Sequence, residues 1–225
     1  MSLVASKPVS AAGKALVVRG VIYGLLHRRW TGGERLTEQA AAGLFQVSRT
    51  PVREAFLELE ALGMLQLKRN CGAVLLSFGP RQLRELYSVR TLLEVEAVRL
   101  AVSRIEKAAI SRMIVEFERL QAAGADDVDW VLDRALHAGI AHASGNLRLC
   151  DEISRYGNLV QTMREVVGTR LSSVHSTSLV EHLEILYRLK ARDEAGSVQA
   201  MRRHLEIAGD SALEVLSGLT PQRVD

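Results

Sequence analysis

Apolar residues recur at every third or fourth position along nearly the whole chain, and this periodicity gives way to strand-like runs only once. That interruption, two short apolar runs at Met64–Lys68 and Ala73–Ser77 around the turn Arg69-Asn70-Cys71-Gly72, reads as a small hairpin. A chain of this kind is mainly helical, with one small β element near its beginning.

Three helical patterns precede the hairpin. The first runs from about Gly13 to Trp30, with Leu16, Val17, Gly20, Val21, Gly24 and Leu25 on one face, and Thr31-Gly32-Gly33 stops it. Thr37 is the expected N-cap of a short helix bearing Ala40, Ala41, Leu44 and Phe45. Ser48 is the expected N-cap of the next, with Pro51 in its first turn, Val52, Ala55, Phe56, Leu59 and Leu62 as its apolar face, and Gly63 as its stop. Two short helices joined by a tight connection and followed by a hairpin make a winged helix-turn-helix. Beyond Pro80 the spacing predicts about six helices: one through Leu100, then 107–123, 128–143, 146–168, 175–192 and 194–217. Short breaks between them indicate an antiparallel bundle. The expected organisation is a winged domain over 12–78 and a helical domain over 79–218.

Charge divides at the same place. Residues 1–78 carry ten Lys/Arg against five Asp/Glu, whereas residues 79–225 carry nineteen against twenty-one, so the overall +3 conceals a basic head of +5. A basic module that size suits a polyanion. No apolar run reaches the roughly 18 residues a membrane helix needs, and the start lacks a signal-like apolar stretch. The two cysteines, Cys71 and Cys150, are too few for a disulfide framework. The expected location is therefore the reducing cytoplasm, away from any membrane.

The start of the third helix, Ser48-Arg49-Thr50-Pro51-Val52-Arg53, places Arg49 and Arg53 four residues apart on one face. Arginine pairs bidentately with guanine or phosphate. Ser48, Thr50 and the free N–H groups of a helix start suit backbone phosphates. Arg69 adds a cation at the hairpin tip, and Gly72 lets backbone approach a groove closely.

In the helical part, Asp133 and His137 lie one turn apart and share a face, while His182 and His204 lie on two later helices. One carboxylate and three imidazoles inside a bundle suit Zn²⁺, Ni²⁺ or another divalent first-row ion. By spacing alone, ordinary structural histidines satisfy the same pattern.

The segment Gly33-Glu34-Arg35-Leu36-Thr37-Glu38, through Ser48-Arg49-Thr50-Pro51-Val52-Arg53-Glu54-Ala55, to Leu62-Gly63-Met64-Leu65 resembles the DNA-binding domain of the GntR family of bacterial transcription regulators. The resemblance implies that Arg35, Arg49 and Arg53 contact operator DNA and that Gly72 sits at the wing tip over the minor groove. Many relatives carry a basic residue directly before that glycine. Here it is Cys71, so either the wing contact is weaker or Arg69 replaces it. Asp133-Arg134-Ala135-Leu136-His137, with Ser144-Gly145-Asn146, Glu181-His182 and Arg202-Arg203-His204-Leu205, resembles the FCD effector domain of FadR-type members, with the helix count of the VanR-like branch. That resemblance implies a divalent metal held by Asp133, His137, His182 and His204. It places His142 and His175 at no ligand position.

Four protein ligands leave room on an octahedral ion for a small carboxylate. The domain resemblance points to Arg90 on the first bundle helix as a cation for it; the alternative for Arg90 is a surface ion pair with Glu94, four residues on. Arg164 is a second candidate, and Glu94 and Glu96 receive no role beyond solubility or pairing. The combined expectation is a non-enzymatic, homodimeric regulator that binds a palindromic duplex operator and responds to a small organic acid. A metal-dependent hydrolase with a DNA-binding appendage is a second reading, weakened by the lack of a His-Glu-x-x-His motif. A regulator with a purely structural metal is a third.

Overall fold

A computed structural model describes residues 9–69, 72–124, 130–167 and 172–219, with the side chains of all but 9, 10 and 172–177. These residues form two compact units, one up to Gly79 together with Leu219 and the other Pro80–Gly218.

The first unit contains α1 (Val9–Leu26), β1 (Arg35–Leu36), α2 (Glu38–Phe45), α3 (Arg49–Ala61), β2 (Leu65–Lys68) and β3 (Gly72–Leu75). α1 packs on α3, and both bury Val17, Val21, Val52, Phe56 and Leu59. The first helix ends four residues earlier than its pattern suggests, because Trp30 folds back onto Gly24. A Cβ at Gly24 would lie 2.3 Å from the Trp30 ring, so only glycine admits this contact. Thr37 caps α2 as expected, accepting from the Ala40 N–H at 3.0 Å. Ser48 has the extended backbone of a cap but makes no side-chain capping bond. Pro51, the third residue of that helix, removes one of the two N–H groups such a cap can take. β2 and β3 form the expected hairpin, but β3 also pairs on its other side with β1, in the order β1-β3-β2, all antiparallel. Strand β1 is too short for its sequence to show a period. Cys71 lies outside the described residues.

The second unit is a bundle of six helices: α4 (Pro80–Ala101), α5 (Lys107–Ala123), α6 (Val131–Ala143), α7 (Leu147–Val167), α8 (Ser172–Lys190) and α9 (Glu194–Ser217). α4 lies against α6, α7 and α9, while α8 lies against α5 and α9. Their shared core includes Val98, Ile110, Phe117, Leu136, Ile140, Leu186 and Leu205. Among the described residues no helix is long and apolar enough to cross a membrane.

Gly72 has φ +78°, and an added Cβ would meet the backbone of Leu36 and Thr37 at 2.9 Å. Backbone cannot step aside as a side-chain end can, and the left-handed conformation disfavours other residues. Gly72→Ala is therefore expected to destabilise the winged unit by about 1–3 kcal/mol. A denaturation midpoint equal to that of the unsubstituted chain would contradict this.

Candidate metal centre and nucleic-acid interface

The buried acidic, basic and imidazole side chains of the bundle, Arg90, Glu94, Asp133, His137, His182 and His204, collect at one place. Asp133 and His137 come from successive turns of α6, His182 from α8 and His204 from α9, and one ligand atom from each lies within 4.8 Å of all the others. His182 Nε2 is 3.3 Å from His204 Nε2 and 3.4 Å from Asp133 Oδ1. His137 Nε2 lies 4.0 Å from the same oxygen. Donors bonded to one ion at about 2.0–2.2 Å stand apart by comparable separations. The set of three nitrogens and one oxygen therefore fits a divalent first-row ion without choosing among them.

The rings are held from behind. His137 Nδ1 bonds Glu94 Oε2, and His204 Nδ1 bonds Glu181 Oε2 at 2.8 Å. With the ring proton on Nδ1, each Nε2 presents a lone pair to the centre. Arg90 donates from Nε (2.9 Å) and Nη2 (2.7 Å) to Glu94 Oε1. Arg164 donates from Nη1 to Asp133 Oδ2 at 2.9 Å, and its guanidinium lies 3.7 Å from the Trp130 ring centroid.

Protonation follows from these contacts. Burial alone would raise Glu94, but Arg90 and His137 overcome it and lower its pKa to about 2. Burial likewise opposes ionisation of Asp133, yet Arg164 and the histidines hold it well below the usual carboxylate range. Burial, reinforced by neighbouring cations, lowers His204 to about 3 and pushes His182 well down. Both imidazoles are thus neutral near pH 7, the form that ligates metal. Burial pushes Glu181 up to about 7 against the attraction of Arg203.

Arg90 and Arg164 share a cavity of about 570 Å³ with Asp133 and His137, bounded also by Ser154 and Asn158 of α7. The Arg90–Glu94 ion pair does form, but it is buried rather than superficial. Glu96 pairs with Arg99 in solvent. Glu94 and Glu181, which hydrogen-bond two rings of the cluster, have no such place in the sequence expectations. The signal for Glu94 was present: positions 83, 86, 87, 90, 94, 97 and 101 form one buried stripe on α4, with two charges in its middle. His142 is exposed, and the side chain of His175 lies outside the described residues.

In the first unit, Arg35, Arg49, Arg53, Arg69 and Gly72 border one concave groove of about 790 Å³ between α3 and the hairpin. Ser48 and Thr50 are exposed at the start of α3 but do not border that groove. Arg53 makes a two-pronged pair with Glu38, 3.0 Å for each hydrogen bond, and Arg49 donates to Gln39 at 3.3 Å. The groove thus gathers cations from three separate stretches of chain.

A winged helix-turn-helix with a cationic groove, joined to a helical unit built around a buried Asp/His₃ cluster, defines a DNA-binding transcription regulator with an effector domain. The chain belongs to the gntR family of bacterial regulatory proteins: residues 8–75 match that family's own region, and residues 85–207 match the FCD domain. It is 31% identical to the HTH-type transcriptional regulator LutR of Bacillus subtilis, over 85% of this chain and 95% of LutR. It is 25% identical to the HTH-type transcriptional repressor RspR of Escherichia coli, over 93% of this chain and 91% of RspR. The solved structure of E. coli McbR/YncC has a similar fold, with TM-score 0.60 and 22% identity, covering 90% of this chain and 97% of McbR.

The buried charges give the metal-free bundle a definite pH response. On unfolding, His182 and His204 regain proton affinity near pH 6.5, and Glu94 and Asp133 near pH 4. The unfolded chain then binds more protons than the folded one, so stability falls as pH drops from 7 toward 4. Glu181, with its raised pKa, works in the opposite sense, against two imidazoles near pH 6 and against two further carboxylates near pH 4. The thermal midpoint of metal-free protein is expected to fall steadily over that range; a flat or rising midpoint would contradict the assignment.

Proposed function

We propose that this regulator acts as a homodimer on a palindromic operator in the cytoplasm, and that a small organic acid bound beside a divalent metal controls its DNA affinity. The observation that carries this reading is the joint occurrence of the Asp133/His137/His182/His204 cluster and two arginines on one cavity wall. Arg35, Arg49 and Arg53 supply contacts to base edges and phosphates. Ser48 and Thr50, with the N–H groups of the first turn of α3, bind phosphate, and Arg69 and Gly72 follow the minor groove. Two-fold symmetry follows from the operator, since one α3 spans only half a site.

Asp133, His137, His182 and His204 hold the ion, Zn²⁺ or Ni²⁺ by donor type. Bound there, the metal supplies a Lewis-acidic centre that favours an anionic ligand over a neutral one. Arg164 is fixed by its pair with Asp133 and its stack on Trp130. Arg90 spends Nε and Nη2 on Glu94 and borders the cavity. Both are already paired with carboxylates, so the net positive charge that draws a carboxylate is the metal's, and the guanidiniums line the wall beside it. The acid changes DNA affinity only to the extent that it binds the operator-competent and incompetent arrangements unequally.

Two experiments test this. Arg49→Ala is expected to weaken binding to an operator selected from random duplexes by about 1–3 kcal/mol and to relax sequence preference. Unchanged anisotropy titrations would remove α3 as the reading element. His182→Ala combined with His204→Ala is expected to empty the protein of metal and abolish the thermal shift given by a panel of small organic acids. A normal response from a metal-free double variant would overturn the effector reading.

A further inference from the structure

We infer that Glu94 and Glu181 are positioning residues of the metal centre, each fixing the tautomer and direction of one ligand imidazole. The inference rests on the metal reading above and extends it from the ligands to the groups that aim them.

A neutral imidazole carries one ring proton, and the nitrogen without it is the one that ligates. Glu94 accepts from His137 Nδ1, and Glu181 accepts from His204 Nδ1. Each carboxylate, in its ionised form, therefore dictates that Nε2 is the bare nitrogen of its ring. Among the described residues, no other hydrogen bond at His204 Nδ1 would hold the proton there. The 3.3 Å approach of His182 Nε2 to His204 Nε2 also depends on at least one of them being bare.

The two carboxylates are supported differently. Glu94 is fully partnered, because Arg90 places two N–H groups on its other oxygen. Arg90 thus reaches the centre through Glu94 and His137, without touching the ligand nitrogen. Glu181 uses Oε2 on His204, while its Oε1 is buried with no hydrogen-bond partner among the described residues. A half-satisfied buried carboxylate costs stability, and a leucine at that place on α8 would avoid the penalty. The bond to His204 is what the acid supplies there. Glu181 also directly precedes His182, so one turn of α8 provides a ligand and orients another on α9.

The test uses the full chain stripped of metal by a chelator, with Zn²⁺ as probe in competition with a chromophoric chelator. Glu181→Gln is expected to weaken Zn²⁺ binding about 10-fold and Glu181→Ala up to about 100-fold. The melting point of metal-free Glu181→Ala should be no lower than that of the unsubstituted chain, because an unpartnered buried oxygen is removed. Long-range ¹H–¹⁵N spectra should show His204 leaving the Nδ1–H tautomer in that variant. Glu94→Gln should weaken Zn²⁺ in the same way; because it leaves Arg90 buried without an anion, the Glu181 pair of variants decides the matter. Zn²⁺ affinity unchanged in both Glu181 variants, or lost only in step with a fall in melting point, overturns the positioning role while leaving the metal site intact. Failure of the unsubstituted chain to take up Zn²⁺ overturns the metal reading and this inference with it.

Discussion

The bundle depends on one constraint, that charge buried at its centre must be balanced within the chain. An ion removed from water loses several kcal/mol of solvation, recovered only by close, well-aligned partners. Here Glu94 faces Arg90, and Asp133 faces Arg164. The imidazoles remain neutral and lean on carboxylates. These contacts run across α4, α6, α7, α8 and α9, so the same side chains that prepare a ligand set also lock five helices in register. Deleting one partner leaves an uncompensated charge in the core.

The two units handle arginine in contrasting settings. In the head, Arg49 and Arg53 stand in solvent at the edge of an open groove, where attraction to a polyanion is long-ranged and screened by salt. In the bundle, Arg90 and Arg164 are almost wholly removed from water, where screening is slight and geometry governs. The first setting favours rapid capture of a large ligand. The second favours discrimination among small ones.

Much of this was legible in the sequence, for identifiable reasons. The 3.6-residue period marked out the helices of both units, and the Gly-containing turn marked the hairpin. Thr37 announced its cap by residue type. Ser48 looked equivalent, but the effect of Pro51 three residues on emerged only when donors were paired with acceptors. Strand β1, two residues long, had no period to read. Asp133, His137, His182 and His204 were visible as residue types, but α6, α8 and α9 had to be folded together before their separation meant anything. For Arg90 the sequence leaves two readings open, a cation facing a cavity and an exposed pair with Glu94, because charge ordinarily marks the wet face of a helix. Both residues sit on the buried stripe because they neutralise one another and serve His137.

The pairing of Arg53 with Glu38 has a consequence for how the head meets DNA. Arg53 already holds an anion in the free protein, and that anion is tethered to the chain. A phosphate or base edge that takes Arg53 therefore enters by exchange and leaves a carboxylate facing a polyanion, unless Glu38 swings away. Glu38 stays attached and contributes none of the mixing entropy that a released mobile ion would. For an Arg53 that contacts DNA as proposed, the carboxylate is a tethered competitor, and a weak one, because the pair stands largely in solvent.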